Sequence, residues 1–113
     1  MDKSLHFDIE ALEVLVQLME DDFSELVDVF VRDSEPRIVA LKQAIASKDA
    51  KSLRDISHSF KGASGNLSAL PLANLCFKVE TLSRDGEFAG IEEIIPQVER
   101  EYLAVKSILQ SMI

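Results

Sequence analysis

Hydrophobic positions recur every three or four residues almost from end to end of the chain, the period of one face of an α-helix. Ile9, Leu12, Leu15, Val16 and Met19 form a short first stripe, with Asp8 placed to cap it and an end expected near Glu20. Asp21 and Asp22 then stand where a helix N-terminus favours acid, and Phe23, Leu26, Val27, Phe30, Val31, Ile38, Leu41 and Ile45 carry the period onward. Pro36 interrupts this second segment, and a proline inside a helix removes one hydrogen bond at a cost of about 3 kcal/mol. Ser34-Glu35-Pro36 could open a new helix. The apolar phase survives across the proline, however, so one long kinked helix is expected.

Ser47-Lys48-Asp49 is the next break, with Asp49 as N-cap, and Leu53, Ile56, Phe60, Ala63 and Leu67 mark a third helix expected to run to Leu70-Pro71. A fourth starts at about Pro71 and continues through Leu72, Leu75, Cys76, Val79 and Leu82 to the stop signal Arg84-Asp85-Gly86. The last uses Ile91, Ile94, Ile95, Val98, Tyr102, Val105, Ile108, Leu109 and Met112, with Pro96 near its beginning or bending it. The pattern predicts an all-α fold, an antiparallel up-down-up-down four-helix bundle with a short extra N-terminal helix, formed by residues 1–113 as a single domain.

At 113 residues, 47% of them hydrophobic, the chain can fill one core but not two. Twelve Lys and Arg against twenty Asp and Glu leave a net charge of −8, which repels a phosphate backbone or an anionic membrane and argues against nucleic acid and membrane as partners. The single cysteine, Cys76, cannot form an internal disulfide and falls within an apolar pattern. Met1-Asp2-Lys3-Ser4-Leu5-His6 lacks the basic-then-apolar layout of a secretion signal, and a cytoplasmic location is expected. Met1 and the fit of the chain to one bundle favour an independent protein over a piece of a larger kinase. His6 is expected in a frayed terminus, and two histidines with one cysteine offer no metal-binding set.

The third helix carries the chemistry. On a wheel of 100° per residue, His58 falls almost opposite the apolar stripe, and Gly62 and Gly65 share its face one and two turns further on. Each glycine costs about 1 kcal/mol relative to alanine in a helix, and neither is on the packed side. A helix stop at Ser64-Gly65-Asn66 beside an ordinary surface histidine is the plain alternative. Leu67 continues the stripe, which favours a helix running past both glycines, with a bare strip beside an exposed imidazole where another protein's active site can approach. Lys51, Arg54 and Lys61 lie within about 60° of His58 on the same wheel, a locally positive patch on an acidic chain. Such a patch would attract an acidic partner and steady a phosphoryl group on the ring. Glu80, one residue off the apolar face of the fourth helix, either bonds the third helix or is solvated.

His58-Ser59-Phe60-Lys61-Gly62-Ala63-Ser64-Gly65-Asn66-Leu67 resembles the signature of histidine phosphotransfer (HPt) domains: His, then Lys-Gly three and four residues on, then small residues leading to Leu. Leu72, Cys76 and Val79-Glu80 match the pattern of that family's next helix. Two departures stand out: Ser68 where many members have Gly, and Val79 for the commoner Leu. The resemblance implies a phosphorelay intermediate of bacterial two-component signalling. His58 would accept a phosphoryl group from the aspartate of one receiver domain, as in a hybrid sensor kinase, and pass it to the aspartate of a response regulator. Lys61 would lie beside the phosphoryl group and Gly62 would give clearance for docking, with Gly65, Lys51 and Arg54 around it. The chain needs no cofactor of its own, Mg²⁺ belonging to the receiver, and has no P-loop or kinase glycine motif, so no autokinase activity is expected. A monomer is expected, because the exposed face of the third helix is needed for partners. The other function class consistent with these residues is a helical adaptor that docks receiver-like partners without being phosphorylated.

Overall fold

The computed structural model describes residues 2–113, and among them every regular element is helical. A short helix α1 (Ile9–Met19) precedes four longer ones: α2 (Phe23–Ala46), α3 (Ala50–Asn66), α4 (Leu70–Arg84) and α5 (Phe88–Ser111). Short 3-10 turns at Lys3–Leu5 and Glu20–Asp22 flank α1, the second holding Asp21 and Asp22. Asp8 and Asp49 cap α1 and α3 as expected, accepting from the backbone N–H of Ala11 and Ser52. α2 passes through Pro36 unbroken, and α5 does the same at Pro96 more than two turns from its start. Buried Phe30, Ser34, Ile38 and Leu41 keep one face of α2 against the core on both sides of the proline, so packing outweighs the missing hydrogen bond.

The four long helices pack in a ring, α2 against α3, α3 against α4, α4 against α5, and α5 back onto α2. Connections of three residues make successive helices antiparallel. Tyr102 of α5 fills the centre, its ring 6.0 Å from that of Phe30 and 6.3 Å from that of Phe60. No helix among the described residues is long and apolar enough to cross a membrane.

α3 stops at Asn66, short of the expected Leu70-Pro71. Leu67 is its C-cap and Ser68 turns left-handed, φ 60°, so that its N–H bonds the Gly65 carbonyl while the Ala69 N–H bonds that of Ser64. This is a Schellman closure. Leu67 and Ala69 are both buried, so the apolar phase runs past the last helical turn and disguises the stop. The same pair of bonds closes α2 around Lys48 (φ 52°) and α4 around Gly86 (φ 71°).

The N-terminus is not frayed at His6. Phe7 is buried, the Asp8 N–H bonds the Ser68 carbonyl at 2.9 Å, and His6 Nδ1 lies 2.7 Å from Glu101 Oε2 on α5. One buried aromatic is enough to tie this segment to the bundle. Met1 lies outside the described residues.

Candidate functional site

Leu53, Ser57, Phe60 and Ser64 form the buried face of α3, continued by its C-cap Leu67, and α3 packs against both α4 and α2. Ser57 and Ser64 can be buried on this face because each hydroxyl donates back to the carbonyl one turn earlier, Leu53 at 2.6 Å and Phe60 at 2.8 Å. The opposite face of α3 is left to solvent, and the His58 side chain there is 68% exposed.

Glu80 reaches that ring from α4. Its carboxylate is nearly covered, and Oε2 lies 3.0 Å from His58 Nδ1 while Oε1 accepts from Lys61 Nζ at 2.8 Å. Arg84, one turn further along α4, brings Nη2 to 3.6 Å from Oε2. The Lys61 hydrogen bond holds the Glu80 carboxyl below the ordinary glutamate range; burial opposes this, and the His58 contact adds to it. An ionised carboxylate can only accept, so the proton between the two groups sits on Nδ1. The neutral ring then presents Nε2 with its lone pair outward. Lys61 is half-buried, its Nζ 5.0 Å from the centre of the Phe77 ring.

Gly62 and Gly65 both fall inside α3, and a Cβ built on either meets nothing within 4 Å. The bare strip next to His58 is therefore real, and a shallow groove lined by Pro36, Arg37, Ala40, Ile56 and Ser59 borders it toward α2. Arg37 crosses that groove to donate to Ser59 Oγ at 2.9 Å.

Of the basic residues on the wheel, only Lys61 is drawn into the Glu80 cluster. Lys51 pairs with Asp55 at 2.7 Å on its own helix, and Arg54 stands exposed one turn before His58. Glu80 was legible as a candidate from its place beside the apolar face of α4, but Arg84 and Phe77 were not. Their spacing of four and three residues from Glu80 puts them on its side of α4, a signal that gains meaning only once Glu80 is known to face His58. Cys76 is fully buried, and burial pushes its thiol up to about 12, leaving it protonated and inert. Among the described residues no group of three or more His, Cys, Asp or Glu could hold a metal ion.

The family model of the Hpt domain matches residues 25–108, from the first turn of α2 to the last turn of α5. The crystal structure of histidine-containing phosphotransfer protein B (HptB) from Pseudomonas aeruginosa PAO1 is 39% identical, superposes with a TM-score of 0.91, and covers 95% of this chain and 93% of its own. That of the histidine-containing phosphotransfer protein ZmHP2 from maize, 24% identical, shares the fold with a TM-score of 0.88 over 99% of this chain and 86% of its own. No curated protein sequence matches significantly.

Proposed function

The chain belongs to the Hpt domain family, and on that footing we propose that it is a phosphoryl carrier in which His58 Nε2 takes the group from a receiver-domain aspartate and hands it to another. The Glu80–His58 contact is the observation that supports this reading: a carboxylate held ionised in a nearly covered position has its bond to Nδ1, which leaves only Nε2 nucleophilic.

In the forward step the Nε2 lone pair forms the N–P bond as the P–O bond of the aspartyl phosphate breaks, its electron pair returning to the aspartate carboxylate. Nδ1 keeps its proton, so the ring becomes cationic and faces the Glu80 carboxylate. Retaining that proton also makes the ring a good leaving group, since reversal releases neutral imidazole. Lys61 lies one turn along α3 and can leave Glu80 for the phosphoryl oxygens, a charge-assisted contact suited to a dianion. The catalytic charge stabilisation comes from the receiver and its Mg²⁺, because phosphoryl transfer depends on positioning and electrostatics more than on covalent help. Gly62 and Gly65 leave the receiver free to close on Nε2.

A panel of receiver domains charged with acetyl phosphate tests this. Acid-labile, base-stable label should pass to the wild-type chain and not to His58→Gln, and ATP with Mg²⁺ alone should give none. Receiver binding without label would instead make the chain an adaptor.

A further inference from the structure

Besides His58, Glu80 has two cationic neighbours, Lys61 and Arg84, and Arg84 is the one whose role the transfer chemistry leaves open. It reaches the same oxygen, Oε2, that bonds His58 Nδ1, while Lys61 holds Oε1. In the resting chain Lys61 hydrogen-bonds the carboxylate, and Arg84 stands at ion-pair distance from its other oxygen. Loading a phosphoryl group changes this, because a dianion arrives on the far side of the ring and competes with Glu80 for the Lys61 ammonium. If Lys61 goes, Oε1 loses its hydrogen bond in a nearly covered position, and such a loss opposes the move. Arg84 stays on its own helix, and with the cationic ring it becomes the remaining counter-charge to Glu80. His58 and Lys61 on α3 and Arg84 on α4 are the basic side chains that pair with Glu80 among the described residues.

Resting on the carrier reading, we propose that Arg84 is a positioning residue that frees Lys61 for the phosphoryl group by holding Glu80 in its place. Without Arg84, Glu80 retains Lys61 and the phosphohistidine loses its lysine. Arg84 then acts on the loaded form through Lys61, with no contact of its own to the phosphoryl group.

The test uses potassium phosphoramidate, a small-molecule donor that phosphorylates imidazoles without a partner protein. The P–N bond of the donor breaks, ammonia leaves, and the Nε2–P bond forms. The half-life of the His58 phosphoramidate is followed by 31P NMR, with His58→Gln to subtract any label on His6. Arg84→Gln should shorten the half-life about threefold to fivefold, the scale of a partly exposed ion pair, with the thermal midpoint of the unloaded protein nearly unchanged. Arg84→Lys should restore it. In a Lys61→Ala background Arg84→Gln should have little further effect, which a merely structural role would not produce. A wild-type half-life in Arg84→Gln, or effects of the two substitutions that simply multiply, would overturn the role of Arg84 while leaving the carrier intact. Absence of label on wild-type His58 would remove the carrier reading and this inference together.

Discussion

Glu80 Oε2 lies 3.0 Å from His58 Nδ1, a contact between residues 22 apart in the chain that is made wherever α3 and α4 close against each other. The exposed ring is thereby fixed by a nearly buried group, and the bundle core dictates which nitrogen faces outward. Glu80→Gln keeps an acceptor near Nδ1 and removes the charge. Labelling from a charged receiver should slow about tenfold, in line with the loss of a partner that orients an imidazole. Stability should fall by about 1–3 kcal/mol, because Lys61 and His58 lose a shared, nearly covered negative charge and the amide offers one acceptor oxygen in place of two. Initial labelling rates and urea unfolding check the two effects separately.

Acid should reveal the same carboxylate. Lys61 holds the Glu80 carboxyl below its ordinary value, so the stabilisation it confers is present above the usual glutamate pKa and is lost as pH falls through the lower folded value. Between about pH 5 and 3 the wild-type chain should lose stability more steeply than Glu80→Gln. Equal slopes in pH-dependent urea unfolding would show that Glu80 titrates alike in the folded and unfolded chains.

Lys61→Ala should shorten the lifetime of the phosphohistidine and slow transfer. On the helical wheel Lys61 stands as an exposed charge beside His58. The ammonium is half-buried between Glu80 and the Phe77 ring, so a loss of about 1–2 kcal/mol is expected as well. Thermal unfolding beside a lifetime assay measures both, and an unchanged midpoint would show that the lysine is not held as described.

Gly62 should separate stability from function. With open space around its Cβ position and helical backbone on either side, Gly62→Ala should raise stability by up to about 1 kcal/mol. Gly62→Gln should stay folded and transfer at a small fraction of the wild-type rate, because its side chain enters the strip needed for docking. Wild-type transfer by Gly62→Gln would remove the clearance role.

Ser68→Gly should stabilise the chain by about 1 kcal/mol, since Ser68 holds a left-handed conformation that glycine adopts without strain. Gly86 already occupies the matching place after α4. The gain should appear as a higher urea midpoint with unchanged transfer. A lower midpoint would mean that the side chain contributes something the backbone strain does not outweigh.

How far the sequence could be read follows from which interactions are local. Periodicity located all five helices, because each buries one face, and the caps at Asp8 and Asp49 are local chemistry. The end of α3 escaped because Leu67 stays in phase with the core while acting as C-cap, and because a serine stands at the left-handed position where a glycine would have signalled the turn. At the site, His58, Gly62 and Gly65 stood out because an exposed histidine and unpacked glycines break the rules of an ordinary helix face. The wheel gave Lys51, Arg54 and Lys61 equal standing, since a single-helix projection cannot show that Glu80 rises from α4 to meet one of them and that Asp55 pairs with another. Arg84 depends on that meeting and has no meaning before it.

In the proposed carrier, His58 takes the phosphoryl group on Nε2 because Glu80 occupies Nδ1. Loading ¹⁵N-histidine-labelled protein from a phosphorylated receiver and recording ¹H–¹⁵N and ³¹P spectra of the ring tests it most directly. A single phosphohistidine at residue 58 is expected, phosphorylated at Nε2 with the proton retained on Nδ1. Phosphorylation at Nδ1, or phosphorylation at any residue other than His58, would contradict it.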